Sequence, residues 1–354
     1  MRNNQINLAV IGCGYWGPNL VRNFAELSNV NVYALCDLDI SRAKAVAQDY
    51  APNALVVSDY YSILDDPEIH GIVVATPIET HFQIAQDVLS AGKNVFVEKP
   101  LAKSTEECQK LIKLAKKQSL VLMVGHVFKY NTAVRKIKEY IDLGFLGKIL
   151  YIHSRRLNLG RIQTNMNALW SFAPHDISIL IYWLNSNPLS VMCRGFSYLN
   201  PGIEDVVFMT MGFPRGIEAH CHLSWLDPKK VREMVIVGSD RMLVYDDVSG
   251  EGKIRIYNKS IIAREKVSFN YEKSYAEFQT KSRYGDVVIP YFPFSEPLQL
   301  ECEHFVDCIR TGNRPLSDGQ AGLSVVCALE AASKSLKLGG ITQGVVKDEL
   351  TIPV

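Results

Sequence analysis

The chain has 354 residues, 47% of them hydrophobic, and its 38 basic and 37 acidic side chains leave a net charge of +1. That length holds about two domains with ample core, and the even spread of Lys and Arg excludes the basic footprint of a nucleic-acid or anionic-membrane binder. The N-terminal Met1-Arg2-Asn3-Asn4-Gln5 runs straight into a short apolar strand, and no apolar stretch approaches the roughly 18 residues of a spanning helix, so a soluble, cytoplasmic protein is expected. Eight cysteines lie scattered, without a Cys-x-x-Cys pair and mostly inside apolar runs. They read as reduced core residues rather than disulfides or zinc ligands.

The first 125 residues alternate strand and helix. An apolar run over 6–11 leads through Gly12-Cys13-Gly14-Tyr15-Trp16-Gly17 into an amphipathic segment ending near Leu27, and a second strand over 30–36 stops at Asp37. A helix over 40–49, a strand over 54–57, a short helix near Tyr60 and a strand over 71–75 follow. Thr76-Pro77 breaks that strand, a helix from Thr80 to Ser90 leads to Val95-Phe96-Val97, and Glu98-Lys99-Pro100 ends the run. A helix over 104–118 and a strand over 120–124 complete the set. Such alternation with short connections is what a parallel, doubly wound sheet requires.

The second half has a different grammar. A helix over 131–143 is followed by a strand over 147–158, a polar loop over 160–167 and a helix over 168–184 with Pro174 expected in its first turn. Runs over 191–198, 205–213, 216–225, 232–238, 242–245 and 253–257 then alternate between turn residues, and two helices close the chain over 298–310 and 318–338. Successive strands without intervening helices predict an α+β domain with a large, mainly antiparallel sheet. The expected division is 1–125 for nucleotide binding and 126–354 for substrate binding and oligomerisation.

Gly12-x-Gly14-x-x-Gly17 follows a strand, opens a helix and has Asp37 about 20 residues on, the full dinucleotide fingerprint. The first glycine permits the tight turn, the second lets the backbone approach a pyrophosphate, and the third lets helix pack on strand, with the helix N-terminus facing the anion. Asp37 can accept both ribose hydroxyls and would repel a 2′-phosphate, and only Arg42 nearby weakens that argument, so NAD is favoured over NADP. At the same carboxyl edge of the sheet, Thr76-Pro77 with Thr80 and His81 either contacts ribose and nicotinamide or caps the following helix. Lys99, placed at a strand's end by Pro100, is the first candidate for chemistry. His126 either faces the ligand cleft or is a satisfied structural histidine. His175, beside Asp176 and after a polar loop, suits a general base near neutral pH or a histidine satisfied by a carbonyl.

Gly12-Cys13-Gly14-Tyr15-Trp16-Gly17, Ala75-Thr76-Pro77 with Thr80-His81, Glu98-Lys99-Pro100, Gly125-His126 with Asn131, and the later helical His together resemble the glucose–fructose oxidoreductase, inositol dehydrogenase and rhizopine catabolism family, Gfo/Idh/MocA. The resemblance covers nearly the whole chain. It implies a Rossmann domain binding NAD through Gly12, Gly14, Tyr15, Trp16, Gly17, Asp37, Thr76, Pro77, His81, Glu98 and Lys99, and a nicotinamide-dependent oxidoreductase acting on a sugar, cyclitol or sugar nucleotide. By the same resemblance Lys99 lies at nicotinamide and substrate, and a helical His at position 175 works with an Asp four residues earlier. Here that earlier position is Ser171, which cannot hold an imidazolium as a carboxylate does. Catalysis is therefore assigned to His175 as acid/base with Lys99 as partner, the roles being exchangeable, and Asp176 to substrate or cofactor amide. The family oligomerises through the open face of its C-terminal sheet, for which Met209, Met211, Phe213 and Trp225 are the expected contributors to a homodimer or homotetramer.

Three arginines, Arg155, Arg156 and Arg161, precede the His175 helix and either clamp a diphosphate or are solvated strand charges. The C-terminal stretch from Glu296 through Glu301, His304 and Cys308 to Gly319 is similar to bacterial members of surface-polysaccharide and aminosugar pathways that oxidise or reduce C3 of a nucleotide-linked hexose. That similarity implies a UDP-N-acetylhexosamine or its uronate as substrate, with Lys99, His126, Arg155, Arg156, Arg161, His175 and Asp176 as its expected contacts. A free cyclitol or sugar dehydrogenase and a non-catalytic NAD-binding sensor are the rival readings. His220-Cys221-His222 places two histidines on one strand face but has no third ligand, so no metal is expected.

Overall fold

A computed structural model describes residues 5–160, 166–261, 282–283 and 285–345. Contacts divide the chain into two compact units. One runs to Asn131 and takes back Phe294–Glu330, and the other holds Thr132–Pro293 and the chain from Ala331 onward.

In the first unit β1 (Ile6–Ile11), α1 (Gly17–Ala25), β2 (Val30–Cys36), α2 (Ile40–Tyr50), β3 (Leu55–Val57), α3 (Tyr61–Leu64), β4 (Gly71–Val74), α4 (Ile78–Ser90), β5 (Asn94–Glu98), α5 (Thr105–Gln118) and β6 (Leu122–Gly125) follow in order. The strands form one parallel sheet in the order β3-β2-β1-β4-β5-β6. Every residue of β4 and β6 is buried, as expected when helices cover both faces of a parallel sheet. The order reverses between β1 and β4, so the loops leaving their carboxyl ends diverge and open the crevice in which such sheets bind ligands.

The expected boundary at residue 125 leaves 294–330 with the second domain, whereas the contacts group that stretch with the parallel sheet. The reason is local. Val124 N donates to the Ser317 carbonyl at 2.7 Å, which satisfies the outer edge of β6. Phe305, on a helix over Pro297–Thr311, is fully buried and meets Phe96 of β5 and Phe24 of α1 edge-on at 5.7 and 6.3 Å. Aromatic contacts of this kind add about 1 kcal/mol each beyond the area they bury.

The second unit begins with α6 (Thr132–Asp142), β7 (Ile149–Leu159) and α7 (Ala168–Leu184), followed by β8 (Ser190–Phe196), β9 (Val206–Phe213), β10 (Ile217–Ser224), β11 (Leu226–Gly238), β12 (Met242–Asp246) and β13 (Ile254–Tyr257). The short pieces β14 (Ser260–Ile261) and β15 (Ser282–Arg283) pair with each other. Next come β16 (Val287–Val288), the Pro297–Thr311 helix of the first unit, here α8, then α9 (Gly319–Lys337) and β17 (Gln343–Gly344). Nine strands make one sheet in the order β16-β13-β12-β11-β7-β10-β9-β8-β17, antiparallel except where β7 runs parallel to β10.

One expectation is reversed here. Met209, Met211, Phe213 and Trp225, expected on the open face, are buried in the core, with Trp225 edge-on to Phe172 of α7 at 6.2 Å. Successive strand residues point to opposite faces, so placing β9 one residue out exchanges the two sets. Exposed instead are Tyr151, Met192, Phe196 and Phe208.

Candidate functional site

The glycine loop shows why two of its positions exclude a side chain. Gly12 has φ +98°, and a Cβ there would lie 2.7 Å from the Ala75 carbonyl group, while a Cβ at Gly17 would lie 2.0 Å from the Gly12 oxygen. Gly14 differs, because nothing lies within 4 Å of the place its Cβ would take. Its open face lets a ligand approach the backbone. Trp16 is the N-cap of α1 and offers no side-chain acceptor to the first turn, and Tyr15 is 82% exposed. Asp37, at the end of β2, accepts from Cys13 N at 2.7 Å and from Asp39 N at 2.9 Å, one bond on each oxygen. A carboxylate has about four acceptor positions, so capacity for ribose hydroxyls remains. Arg42 lies 3.7 Å from Asp37 and 3.6 Å from Asp39, its charge shared between two carboxylates. These residues fit NAD: an open glycine face at a helix start for the pyrophosphate, and an acid with spare acceptors for the ribose.

Lys99 follows β5 and is half-buried. Its neighbour Glu98 is buried, accepts from Lys99 N at 3.1 Å, and takes a further bond from the Trp16 indole, so Trp16 ties the glycine loop to the end of β5. Gly125 makes room for that carboxyl, since a Cβ there would lie 2.9 Å from Glu98 Oε1. Burial pushes the Glu98 carboxyl up to about 7, against the opposing pull of the Lys99 ammonium. The lysine's charge also reaches His81 and His126.

His81, expected at the cofactor, is 1% exposed and its two ring nitrogens lie 2.8 Å from the Pro100 and Thr76 carbonyl oxygens. Both polar positions are used within the protein, so the ring does not reach out to a ligand. Neither threonine caps α4, whose N-cap is Pro77. Thr80 Oγ1 lies 2.8 Å from both Thr76 Oγ1 and the Pro77 carbonyl. His126 is 1% exposed and neither ring nitrogen has a hydrogen-bond partner among the described residues. Burial, then the charges of Lys129 and Lys99, hold its pKa well below the ordinary imidazole value.

Sequence reasoning missed Lys129 in this unit and named Glu301 only as part of a stretch similar to other family members. Lys129 is buried, its Nζ lies 3.4 Å from the Leu316 carbonyl, and burial pushes its pKa down to about 8. A lysine in Phe128-Lys129-Tyr130 reads as solvated, and only its place three residues after His126 hinted otherwise. Glu301 is fully buried with neither carboxyl oxygen hydrogen-bonded among the described residues, and burial and then Glu98 hold its pKa well above the usual range. Its signal was spacing, because it stands between Leu298 and Phe305 on the apolar stripe of α8.

In the second unit α7 is capped by Asn167, whose side chain accepts from Trp170 N at 3.1 Å. Pro174 lies well inside that helix rather than in its first turn, and the missing N–H leaves the Trp170 carbonyl without its usual partner. His175 therefore sits in the second turn, half-buried, with Ser171 one turn before it. Arg155 and Arg156 do not converge. Arg155 and Arg156 are successive residues of β7 and point to opposite faces. Arg155 pairs with Glu233 across the strands at 2.6 Å, while Arg156 is buried and grips Asp176 Oδ1 through Nε at 3.1 Å and Nη2 at 2.7 Å. Asp176, 1% exposed, gives Oδ1 to Arg156, while its Oδ2 has no hydrogen-bond partner among the described residues. Arg161 lies outside the described residues. No disulfide joins the eight cysteines, and burial pushes the Cys13 thiol up to about 12. No helix of the described residues is long and apolar enough to cross a membrane.

Two family models match the chain. The oxidoreductase family with NAD-binding Rossmann fold matches residues 6–126, and the GFO/IDH/MocA C-terminal domain matches residues 134–244. The chain belongs to the Gfo/Idh/MocA oxidoreductase family. As a member it pairs an NAD-binding Rossmann domain with the α+β sheet domain of that family. It is 25% identical over 351 residues, 95% of both chains, to the uncharacterised oxidoreductase YrbE of Bacillus subtilis. To the scyllo-inositol 2-dehydrogenase (NAD(+)) of the same organism it is 26% identical over 362 residues, covering 98% of this chain and 99% of that one. Among solved structures, the UDP-N-acetylglucosamine 3-dehydrogenase GnnA from Acidithiobacillus ferrooxidans superposes with a TM-score of 0.76 at 21% identity, covering 94% of this chain and 98% of that one. GenD2 from gentamicin A biosynthesis, solved with NAD, superposes with a TM-score of 0.80 at 22% identity, covering 97% of each.

Proposed function

We propose that this Gfo/Idh/MocA oxidoreductase is an NAD-dependent dehydrogenase of a ring carbinol, the C3 hydroxyl of a nucleotide-linked hexose such as a UDP-N-acetylhexosamine or its uronate. The observation that carries the reaction class is Lys99, a half-buried lysine at the carboxyl end of β5, with Asp37 and the open face of Gly14 at the same sheet edge. When bound, NAD supplies the acceptor for the carbinol hydrogen. Lys99 polarises the carbinol oxygen, and His175 takes up or returns its proton, the two roles being exchangeable. Lys99 and His175 stand where the family resemblance expects proton-handling residues, which supports an enzyme rather than a sensor.

The sugar-nucleotide reading is supported by the fold likeness to a UDP-N-acetylglucosamine 3-dehydrogenase. A second reading, oxidation of a free cyclitol, is favoured by one observation: Arg155 and Arg156 are engaged by Glu233 and Asp176 and do not form a diphosphate clamp. Incubation with NAD and a panel of UDP-N-acetylglucosamine, its uronate, myo-inositol and scyllo-inositol separates the two. NADH formation with the UDP-sugars alone is the expected result, and turnover of the inositols alone would replace the first reading by the second. Lys99→Ala and His175→Ala should each lower kcat by about 10²–10⁴-fold while NAD binding persists; normal turnover in both refutes the assignment. Self-association is assigned to the outer face of the nine-stranded sheet, around Phe208 and Met192.

A further inference from the structure

His81 makes two contacts that a neutral histidine cannot make at once. Its Nδ1 lies 2.8 Å from the Pro100 carbonyl oxygen and its Nε2 lies 2.8 Å from the Thr76 carbonyl oxygen. A carbonyl oxygen only accepts, and a neutral imidazole carries a single N–H. With one proton on the ring, one of these contacts is a hydrogen bond and the other sets lone pair against lone pair, at a ring that is 1% exposed. With two protons, both are charge-assisted hydrogen bonds of ordinary length.

Opposing influences act on that second proton. Burial disfavours the cation most and the Lys99 ammonium disfavours it further, while the two carbonyls and Glu79, two residues back on α4, favour it. Their balance points down, whereas the contacts demand the cation. The contacts decide, because two full-length bonds to backbone oxygens held by β4 and β5 leave a neutral ring no arrangement that satisfies both. The charged groups facing the ring are Lys99, after β5, and Glu79 of its own helix, and Glu98 stands beside Lys99.

We infer that His81 is a positioning residue that keeps both ring protons, ties the Thr76 and Pro100 carbonyls together, and by its charge biases Lys99 toward the neutral, proton-accepting form. The two tied segments follow β4 and β5, so the ring sets the spacing of two adjacent loops of the nucleotide edge. A like charge close to an ammonium makes it give up its proton more readily. This rests on Lys99 as the proton-handling group proposed above.

The test starts with the whole wild-type protein carrying 15N-labelled histidine, observed well above the ordinary imidazole pKa of about 6.5. Both His81 nitrogens, identified by the signals missing in His81→Gln, should resonate as N–H. An unprotonated nitrogen at His81 overturns the inference. Should His81→Gln fail to fold, one ring with two exchange-protected N–H protons in the wild type identifies the same residue, and the absence of any such ring overturns it equally. The second readout is the pH profile of kcat/KM, whose limb belonging to Lys99 should move up by about one pH unit in His81→Gln. An unmoved limb removes the charge effect. Failure of the Lys99 assignment itself looks different, because Lys99→Ala would then keep turnover while the ring nitrogens of His81 still carry both protons.

Discussion

Glu98 shows how much a single buried side chain governs at the end of β5. Its carboxyl is pushed up to about 7 by burial, from an ordinary value near 4.5, while the Trp16 indole and Lys99 N bond to it. Between about pH 4.5 and about pH 7 the folded chain holds a proton that the unfolded chain has released, so this group makes stability fall as pH rises across that window. The full effect is about 3 kcal/mol. Glu98→Gln keeps an acceptor in place without the charge, and its urea midpoint should therefore gain on the wild type between about pH 5 and about pH 8. An equal difference between the two proteins at both pH values would show that Glu98 does not titrate there. The same residue marks what was legible at this scale. Glycine positions, Asp37 and Lys99 could be placed because a fingerprint and a strand end are local features. The burial of His81 and the Arg156–Asp176 contact depend on partners far along the chain, and no spacing rule announces them.

At the level of elements, the buried Arg156–Asp176 pair joins β7 to α7 next to His175. Removing one partner of a buried pair strands the other charge, so Asp176→Asn should cost about 3–5 kcal/mol in urea unfolding, and the double change Arg156→Met with Asp176→Leu should recover most of it. A double variant as unstable as the single one would mean that the pair does more than neutralise itself. Element types were readable from periodicity, since the apolar runs of β1, β4, β5 and β6 and the stripes of the long helices are strong signals. Orientation was less so. The helix starts at Ala168 as expected, which makes Pro174 its seventh residue and puts it beyond the first turn, and the wrong phase on β9 exchanged Met209 and Met211 with Phe208 and Thr210.

For the whole molecule, the outer face of the nine-stranded sheet carries Phe208 stacked on His222 at 4.5 Å, with Tyr151, Met192 and Phe196 exposed. If this face joins copies of the chain, Phe208→Glu should shift sedimentation velocity toward the monomer at micromolar concentration, and an unchanged sedimentation coefficient would move the contact elsewhere. The family, the cofactor and the two-part architecture could be expected from sequence because their signals repeat along the chain. The return of Phe294–Glu330 to the first unit could not, since its cause is one pairing at the edge of β6 and one aromatic wedge. That pairing has a consequence for synthesis on the ribosome. Strand β6 and the face around Phe96 are translated early, but their cover arrives only after roughly 160 further residues, a wait of about 10–30 s at ordinary elongation rates. During that interval the nascent nucleotide half carries an uncovered apolar face and an unpaired strand edge, the kind of surface that aggregates, until residues 294–330 close it.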